Sequence, residues 1–355
     1  MGDDSKGREL FSYLTETTQL LIEKGSNRWG FIHLSFQEFL AAVALYWKSI
    51  YLDYLMERSD NPNWREVFLL LCGYIEQNGK EGEIPSVIEG LLSRSNELEE
   101  ILHKNLLLAG EIIAELRLKG ELAEKIIRRV IDLALRSEYD TLRNEATKVL
   151  KKGKELSVGR LLEILGNKDK VESKLRRRAV ETLGEIGAKE SIPIFTSILK
   201  DRKYWKGVRT LAASALGKID GKASIPILTS ILKDKGEDRG VRSRAASALG
   251  NIGEKESIPI LTAILTDKGE DGGVRGEAAI ALSNIGEADE EIIHILIEII
   301  SKREKDLWIL TISSATKLGL RINDMQKTII EGLNNPSLNS TDKNRLFSVL
   351  WRLYS

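Results

Sequence analysis

The feature that most constrains the fold is a period of 33 residues in the second half of the chain. The segments "LRRRAVETLGEIG", "VRTLAASALGKID", "VRSRAASALGNIG" and "VRGEAAIALSNIG" begin at Leu175, Val208, Val241 and Val274. A companion "SIPI" begins at Ser191, Ser224 and Ser257. A fixed period of this length indicates a solenoid, in which each unit buries its apolar face only against its neighbours.

Each unit predicts two helices. From Val241 to Ile252 the apolar residues recur at helical spacing and form one stripe. Gly253 then ends this helix, because glycine adopts the left-handed conformation easily. In the other helix, Ser257 is the predicted N-cap and Pro259 lies in the first turn, where a missing N–H costs little.

Glycine recurs inside the second helix of successive units, at Gly184, Gly217 and Gly250. Glycine inside a helix costs about 1 kcal/mol relative to alanine. We therefore expect these positions to mark a close approach between the backbones of stacked units.

The pattern "VRxxAAxALGxIG" followed by "SIPILxxIL" resembles HEAT repeats, in particular the short bacterial and archaeal kind named after phycobilisome lyases. The resemblance covers roughly residues 138–320 and implies an all-α protein, a right-handed α-solenoid of about five or six units. It is specific to the fold and does not specify a function.

Three aspartates, each eight residues before an arginine, also follow the period; the pairs are Asp201 with Arg209, Asp234 with Arg242, and Asp267 with Arg275. HEAT arrays commonly form a ladder from such residues, since a guanidinium offers a carboxylate a planar fork of donors. The sequence predicts a structural ladder, in which Asp234→Ala lowers thermal stability. The alternative is a row of arginines that bind an anion.

Candidate partner-binding residues lie at the starts of the second helices and in one loop. The loop "KDRKYWKG" (200–207) has gained aromatic and basic residues that its counterparts "KDKGEDRG" and "TDKGEDGG" lack. Aromatic rings beside cations suit stacked bases or an anionic partner. The candidates are Arg177, Arg178, Tyr204, Trp205 and Arg244. The alternative is that the tryptophan packs against the neighbouring unit and the charges are solvated.

The first 58 residues are organised differently. Helical spacing continues to Gly25, and "SNRWGFIHL" predicts a short β-wing. Ser35 and Glu38 form a capping-box pattern at the start of the next helix. That helix is expected to bury Phe36, Phe39, Leu40, Val43 and Trp47. Helix, wing and helix are the latter part of a winged helix.

"GFIHLSFQEFLAA" resembles the winged-helix terminus of NACHT NTPases, signalling switches related to animal NOD-like receptors, and "NWREVFLLLCGYI" (63–75) is similar to the segment that comes next in bacterial members. The resemblance implies that His33 contacts the β-phosphate of bound ADP and latches the closed state. A phosphate-binding loop is missing, since the nearest approach, "GKIDGKAS" (217–224), has the wrong spacing. We therefore expect ATP or ADP, and any self-association through the NACHT module, only in a longer parent protein.

The chain is predicted to divide into a partial winged helix (1–58), an irregular helical connector (59–137), the solenoid (138–320) and a capping helical pair (321–355). Its 53 basic and 53 acidic residues balance, which argues against a nucleic-acid coat or a membrane anchor. A lone Cys72 in an apolar segment fits a buried residue in a reducing, cytoplasmic setting. His33, His103 and His294 are too scattered for a metal site.

The resemblance to NACHT proteins implies that the chain is the ligand-recognition and regulatory arm of a NACHT-type signalling NTPase, similar to those that act in antiviral defence. We expect no catalytic centre and no cofactor in this chain. The expected partner is a protein, and nucleic acid is a less supported alternative partner. The alternative is a stand-alone HEAT scaffold or adaptor. A bilin-lyase-like or nucleic-acid-acting HEAT protein ranks third, because residues that would mark such a site are not apparent.

Overall fold

The computed structural model describes residues 4–286, except 26–27, 49–50, 95–96, 168–171 and 220, together with a few isolated positions from 330 onward. His294 and nearly all of the predicted capping pair (321–355) lie outside the described residues. The chain forms two compact units, Met1–Leu133 with Ser137–Leu156, and Ala134–Arg136 with Ser157–Ser355. The described residues are mostly helical, as the sequence predicts.

The first unit contains one β-hairpin and a series of helices. Its elements are α1 (Asp4–Ser12), β1 (Leu21–Glu23), β2 (Trp29–Phe31), α2 (Leu34–Tyr46), α3 (Tyr51–Met56), α4 (Arg65–Gln77), α5 (Ile84–Ser93), α6 (Glu97–Leu102), α7 (Lys104–Glu115), α8 (Glu121–Arg136) and α9 (Asp140–Lys152). The last residues of α8 belong to the second unit.

The second unit is the periodic one. Its helices are α10 (Lys154–Gly166), whose first residues belong to the first unit, α11 (Ser173–Ile186), α12 (Ile192–Lys200), α13 (Lys206–Lys218), α14 (Ile225–Lys233), α15 (Arg239–Ile252), α16 (Ile258–Thr266) and α17 (Gly272–Ile285). Helices α12, α14 and α16 are the "SIPI" helices, and α11, α13, α15 and α17 are the second helices of their units. Each second helix packs against the one in the next unit.

The predicted helix boundaries in the repeats are confirmed. Each "SIPI" helix has its proline in the first turn, where no hydrogen bond is lost. The second helices α11, α15 and α17 end at glycines in the left-handed conformation: Gly187 (φ 73°), Gly253 (φ 75°) and Gly286 (φ 77°).

Ser257 occupies the N-cap position of α16, as predicted, but its side chain does not cap the helix. A short 3-10 turn, Lys255–Ser257, precedes α16, and the serine has helical dihedral angles with no side-chain bond to the helix start. Its hydroxyl, like those of Ser191 and Ser224, is fully buried and has no hydrogen-bond partner. The turn already directs the chain into the helix, so the serine is a small buried residue in this position.

The glycines inside the second helices do mark a close approach. A Cβ atom added to Gly217 would lie 2.7 Å from the Cα atom of Ala248, and one added to Gly250 would lie 2.5 Å from that of Ala281. At Gly184 the nearest atom would be the Cβ atom of Ala215, at 2.8 Å. Stacked second helices are therefore in contact backbone to backbone, which no residue larger than glycine permits.

The helix predicted to run to Gly25 is shorter in the structure. Helix α1 ends at Ser12, a π-turn follows at Tyr13–Thr17, and Leu21–Glu23 forms β1, antiparallel to β2 with Leu21 opposite Phe31. Backbone pairing across the turn, where Gly25 has φ 137°, overrides the local helical spacing. The hairpin lies where the wing is predicted.

Helix α2 also differs from the prediction in two ways. Its N-cap is His33, without a side-chain cap, and Ser35 lies inside the helix, so the capping box does not form. It packs on α4, where Phe39 and Tyr46 contact the ring of Tyr74, and its Ala42 and Leu45 are buried. Several side chains predicted to be buried are instead substantially exposed: Phe36 (41%), Phe39 (42%), Leu40 (48%) and Trp47 (73%).

Cys72 is fully buried in α4, as predicted, and burial raises the pKa of its thiol to about 12. The thiol is therefore protonated at neutral pH and unreactive. Among the described helices, none is long and apolar enough to cross a membrane.

We expect Gly217→Ala to lower the free energy of unfolding by roughly 1–3 kcal/mol, because its Cβ atom would overlap the backbone of Ala248. The matched control is Gly159→Ala in α10, where nothing lies within 4 Å of the new methyl group; alanine's helix propensity should there add up to about 1 kcal/mol. Urea denaturation measures both. Stabilisation by Gly217→Ala would contradict the close packing of α13 on α15.

We expect Ser257→Ala to leave the free energy of unfolding unchanged, or to raise it by roughly 1 kcal/mol, because the hydroxyl is buried without a partner. The control is Asp271→Ala, which removes a carboxylate that accepts from Gly273 and Val274 at the start of α17 and should cost about 1 kcal/mol. Equal losses in the two variants would restore the N-cap role of the serine.

Candidate partner-binding surface

In each of three successive repeats, one buried arginine joins the two helices of the unit. Arg209, Arg242 and Arg275 each donate from Nε to the carbonyl oxygen of a leucine ten residues earlier, at 2.9–3.1 Å. These leucines lie in the last turn of α12, α14 and α16, so the guanidinium satisfies a carbonyl that the helix end leaves open.

For Arg209 and Arg242, the acidic partner is a glutamate of the next repeat. Arg209 binds Glu237 (Nη1 to Oε1, 2.7 Å), and Arg242 binds Glu270 through two bonds of 2.6 Å. All four side chains are at most 5% exposed. The hydrogen bonds from Arg242 hold the pKa of Glu270 below its usual value. A bidentate pair out of water is a strong link between units.

The structure therefore corrects the predicted Asp–Arg pairs for the repeats at Arg209 and Arg242. Asp234 accepts instead from Arg202 (2.5 Å) and from its own turn, at the N–H group of Gly236 (3.0 Å). Asp267 likewise accepts from Lys235 (2.7 Å). These aspartates lie just past a helix end and turn outward to close an Asx turn, whereas the arginines point inward. Their neighbours' hydrogen bonds lower the pKa of both aspartates.

One position of the ladder holds a tyrosine. Tyr204 stands where the two later loops have Glu237 and Glu270. It is only 8% exposed, and the guanidinium of Arg176 lies 5.4 Å from its ring centre. A cation–π contact thus occupies the place of the ion pair. Tyr204 is buried, so the prediction that it belongs to an exposed binding loop is wrong.

Trp205 replaces an aspartate that caps a helix elsewhere. Asp238, its counterpart, accepts from the N–H group of Gly240 at 2.9 Å, but tryptophan cannot cap α13. Its ring is 58% exposed and lies over Gly207, where an added Cβ atom would overlap it. The missing side chain at Gly207 leaves room for the ring.

An open cavity of about 460 Å³ lies beside Trp205. Its lining includes Arg177, Trp205, Lys206, Leu211, Asp238 and Arg239. The structure thus brings together two predicted binding residues, Arg177 and Trp205. It separates the others: Arg178 donates to the carbonyl oxygen of Leu135 (2.7 Å), and Arg244 is exposed but does not line the cavity.

A family model of HEAT repeats matches residues 158–239 and 235–309. These repeats are HEAT repeats. No curated protein sequence matches the chain.

Several solved structures resemble this chain. They include the complex of CpcE and CpcF of phycocyanin lyase from Nostoc sp. PCC7120 (19% identity, 66% of this chain, 96% of that chain, TM-score 0.38). Kap121p bound to Nup53p matches at 15% identity over 98% of this chain and 45% of its own, with TM-score 0.46. Human deoxyhypusine hydroxylase matches at 14% identity over 81% of this chain and 97% of its own, with TM-score 0.33. At such low similarity these structures say nothing about function.

Outside the HEAT repeats, His33 is exposed at the start of α2, with its ring 6.2 Å from that of Phe36. A second cavity, of about 520 Å³, lies in the first unit beside Glu111, which is buried and accepts from Arg65 and Lys152. The described residues contain no group of three or more side chains that could hold a metal ion.

Sequence reasoning missed the glutamates of the ladder and the cavity residues Lys206 and Arg239. A signal was present for the glutamates, since Glu237 and Glu270 follow the same 33-residue period as the arginines. By sequence alone, a glutamate 28 residues after the arginine is as good a candidate partner as an aspartate eight residues before it, because both follow the same period. Only the stacking of the repeats decides between them.

We expect Glu270→Ala to lower the free energy of unfolding by about 3–5 kcal/mol, because it leaves the guanidinium of Arg242 buried without its carboxylate. Asp267→Ala is the matched control and should have a smaller effect, since this half-buried carboxylate pairs with the exposed Lys235 and accepts from the N–H group of Gly269 in its own turn. Urea denaturation at neutral pH compares them. A larger loss from Asp267→Ala would favour the Asp–Arg ladder.

The same pair predicts a pH dependence. Because folding lowers the pKa of Glu270 from its ordinary 4.5, the stabilisation is complete above about pH 4.5. It is lost as the pH falls through the lower pKa of the folded state. The difference in stability between the native chain and Glu270→Gln should therefore shrink below about pH 4.5, and a constant difference would show that the charge of Glu270 does not contribute.

Proposed function

We propose that this chain is a recognition and regulatory arm without a catalytic centre of its own. Its HEAT array binds a protein partner, and its first unit docks on the nucleotide-binding domain of a NACHT-type switch. The stacked second helices and the Arg–Glu ladder support the first part, because they make the array a stiff support for a binding surface.

The observation that carries the docking part is the uncovered apolar face of α2. Phe36, Phe39 and Leu40 of α2, and Trp47 at its C-cap, lie on one side of the helix and are between 41% and 73% exposed. Apolar side chains exposed together on one helix are typical of a protein–protein contact. Contacts such as that of Phe39 with Tyr74 of α4 cover only part of these side chains, so the remaining apolar surface suits a partner domain.

His33 supports the choice of a nucleotide-binding domain as that partner. It stands at the first turn of α2, next to the apolar face, and its ring is exposed. A domain docked on the face would bring its nucleotide near this end of the helix, where an imidazole donor and the helix dipole both favour phosphate. The motif "GFIHLSFQEFLAA", with its resemblance to NACHT proteins, points to the same role for His33.

Binding of a partner to the HEAT array and binding of ADP to the switch would be thermodynamically linked. A partner that binds the array more tightly when the switch is open shifts the population toward the open state. The contact between His33 and phosphate is then lost, and by reciprocity bound ADP weakens the affinity for the partner. The arm thus regulates the switch without catalysing a reaction.

We expect an antibody against the HEAT repeats to detect, in the source cell, a polypeptide larger than the 39.8 kDa of this chain, and this polypeptide to carry ADP after purification. His33→Ala should weaken its retention of ADP by roughly tenfold to a hundredfold, the effect of one lost charge-assisted hydrogen bond. Gln37→Ala, also exposed on α2, is the control and should retain ADP normally.

A native polypeptide of 39.8 kDa that carries no nucleotide and associates with no NTPase would overturn the docking part. The stand-alone HEAT scaffold would then be the better description, with the face of α2 as a second site for protein partners. Retention of ADP unaffected by His33→Ala would overturn the role of the histidine.

A further inference from the structure

The loop that contains Trp205 departs from its two counterparts at two neighbouring positions. Where they place Glu237 and Asp238, or Glu270 and Asp271, this loop has Tyr204 and Trp205. Tyrosine turns inward and contacts Arg176, while tryptophan turns outward. Between residues 157 and 286, Trp205 is the only large apolar side chain that the structure describes as exposed.

The ring of Trp205 packs on the start of its own helix, α13. It lies on Gly207, whose missing side chain makes room for it, and its outer face borders the cavity. A rigid aromatic side chain loses little conformational entropy on binding, which makes it an effective anchor. The cavity, of about 460 Å³, is large enough for one bulky side chain and a short length of peptide backbone.

Three cations surround this apolar anchor. Lys206 lies 3.6 Å from Asp238, Arg239 lies 3.9 Å from Asp271, and Arg177 lies 3.2 Å from Glu181. The three basic side chains are 53–81% exposed. Exposed pairs at such distances contribute little energy, so a carboxylate of a partner can take over these donors at small cost.

We infer that this surface, the Trp205 cavity with Arg177, Lys206 and Arg239, binds a peptide segment in which a bulky apolar side chain is flanked by acidic residues. The apolar side chain packs on Trp205 and Leu211, and the acidic ones pair with the three cations. The inference rests on the proposed function and specifies the chemistry of the protein partner.

Single-stranded nucleic acid fits the same surface less well. Nonspecific binding to a strand uses several aromatic platforms for successive bases, and here one ring is exposed. The balanced charge of the chain also gives no general attraction to a polyanion.

The test measures, by fluorescence anisotropy, binding of labelled peptide pools to the full chain. One pool has a central Phe, Leu or Trp flanked by Asp and Glu, and a matched pool has Lys and Arg as flanking residues. The acidic pool should bind at least about tenfold more tightly, and added salt should weaken its binding. Labelled oligothymidylate serves as the nucleic-acid probe.

Trp205→Ala should weaken binding of the acidic pool by about tenfold or more without lowering the melting temperature, because the ring is largely exposed. Arg239→Glu, at an 81% exposed side chain, should weaken binding as well. The matched control is Lys233→Glu on α14, an exposed charge that does not line the cavity and should leave affinity unchanged.

Equal binding of the two pools, or full affinity in Trp205→Ala, would overturn the inference. Tighter binding of oligothymidylate than of the acidic pool, lost in Trp205→Ala, would assign the cavity to nucleic acid instead. The native mass and ADP content of the polypeptide do not depend on this cavity. If they support the docking proposal while the peptides fail, only the partner chemistry is wrong.

Discussion

The close stacking of the second helices is the constraint on which the rest of the repeat array depends. A HEAT unit has one apolar stripe and cannot bury it alone, so each unit relies on its neighbour. Glycine at 184, 217 and 250 lets the helix backbones approach until they touch an alanine of the next unit. That approach fixes the register between units, and the register decides which polar side chains can reach one another.

The Arg–Glu ladder follows from this register. Arg209 and Arg242 are fixed at one end by a leucine carbonyl of their own unit, and only a glutamate of the next unit can reach the other end. Where the glutamate is replaced by Tyr204, the arginine gains an aromatic ring and the neighbouring Trp205 is left at the surface. The candidate binding cavity thus arises at the one described place where the ladder changes its chemistry.

The first unit has the opposite character. Its hairpin and α2 leave large apolar side chains uncovered, whereas the repeats bury theirs almost completely. The front end is therefore better suited to bind another domain than to stand as a free surface. The proposed function assigns the two surfaces different tasks, contact with a switch at α2 and recognition of a partner at Trp205.

The sequence by itself determined the features that depend on short stretches of chain: the period, the paired helices, their proline starts and glycine ends, and the close approach at Gly217. It did not determine the partner of Arg242, the inward turn of Tyr204 or the exposure of Phe39. Each of these depends on residues far away along the chain, or on whether another surface covers the side chain. Helical spacing is the same in a buried stripe and an uncovered one, so only the tertiary structure distinguishes them.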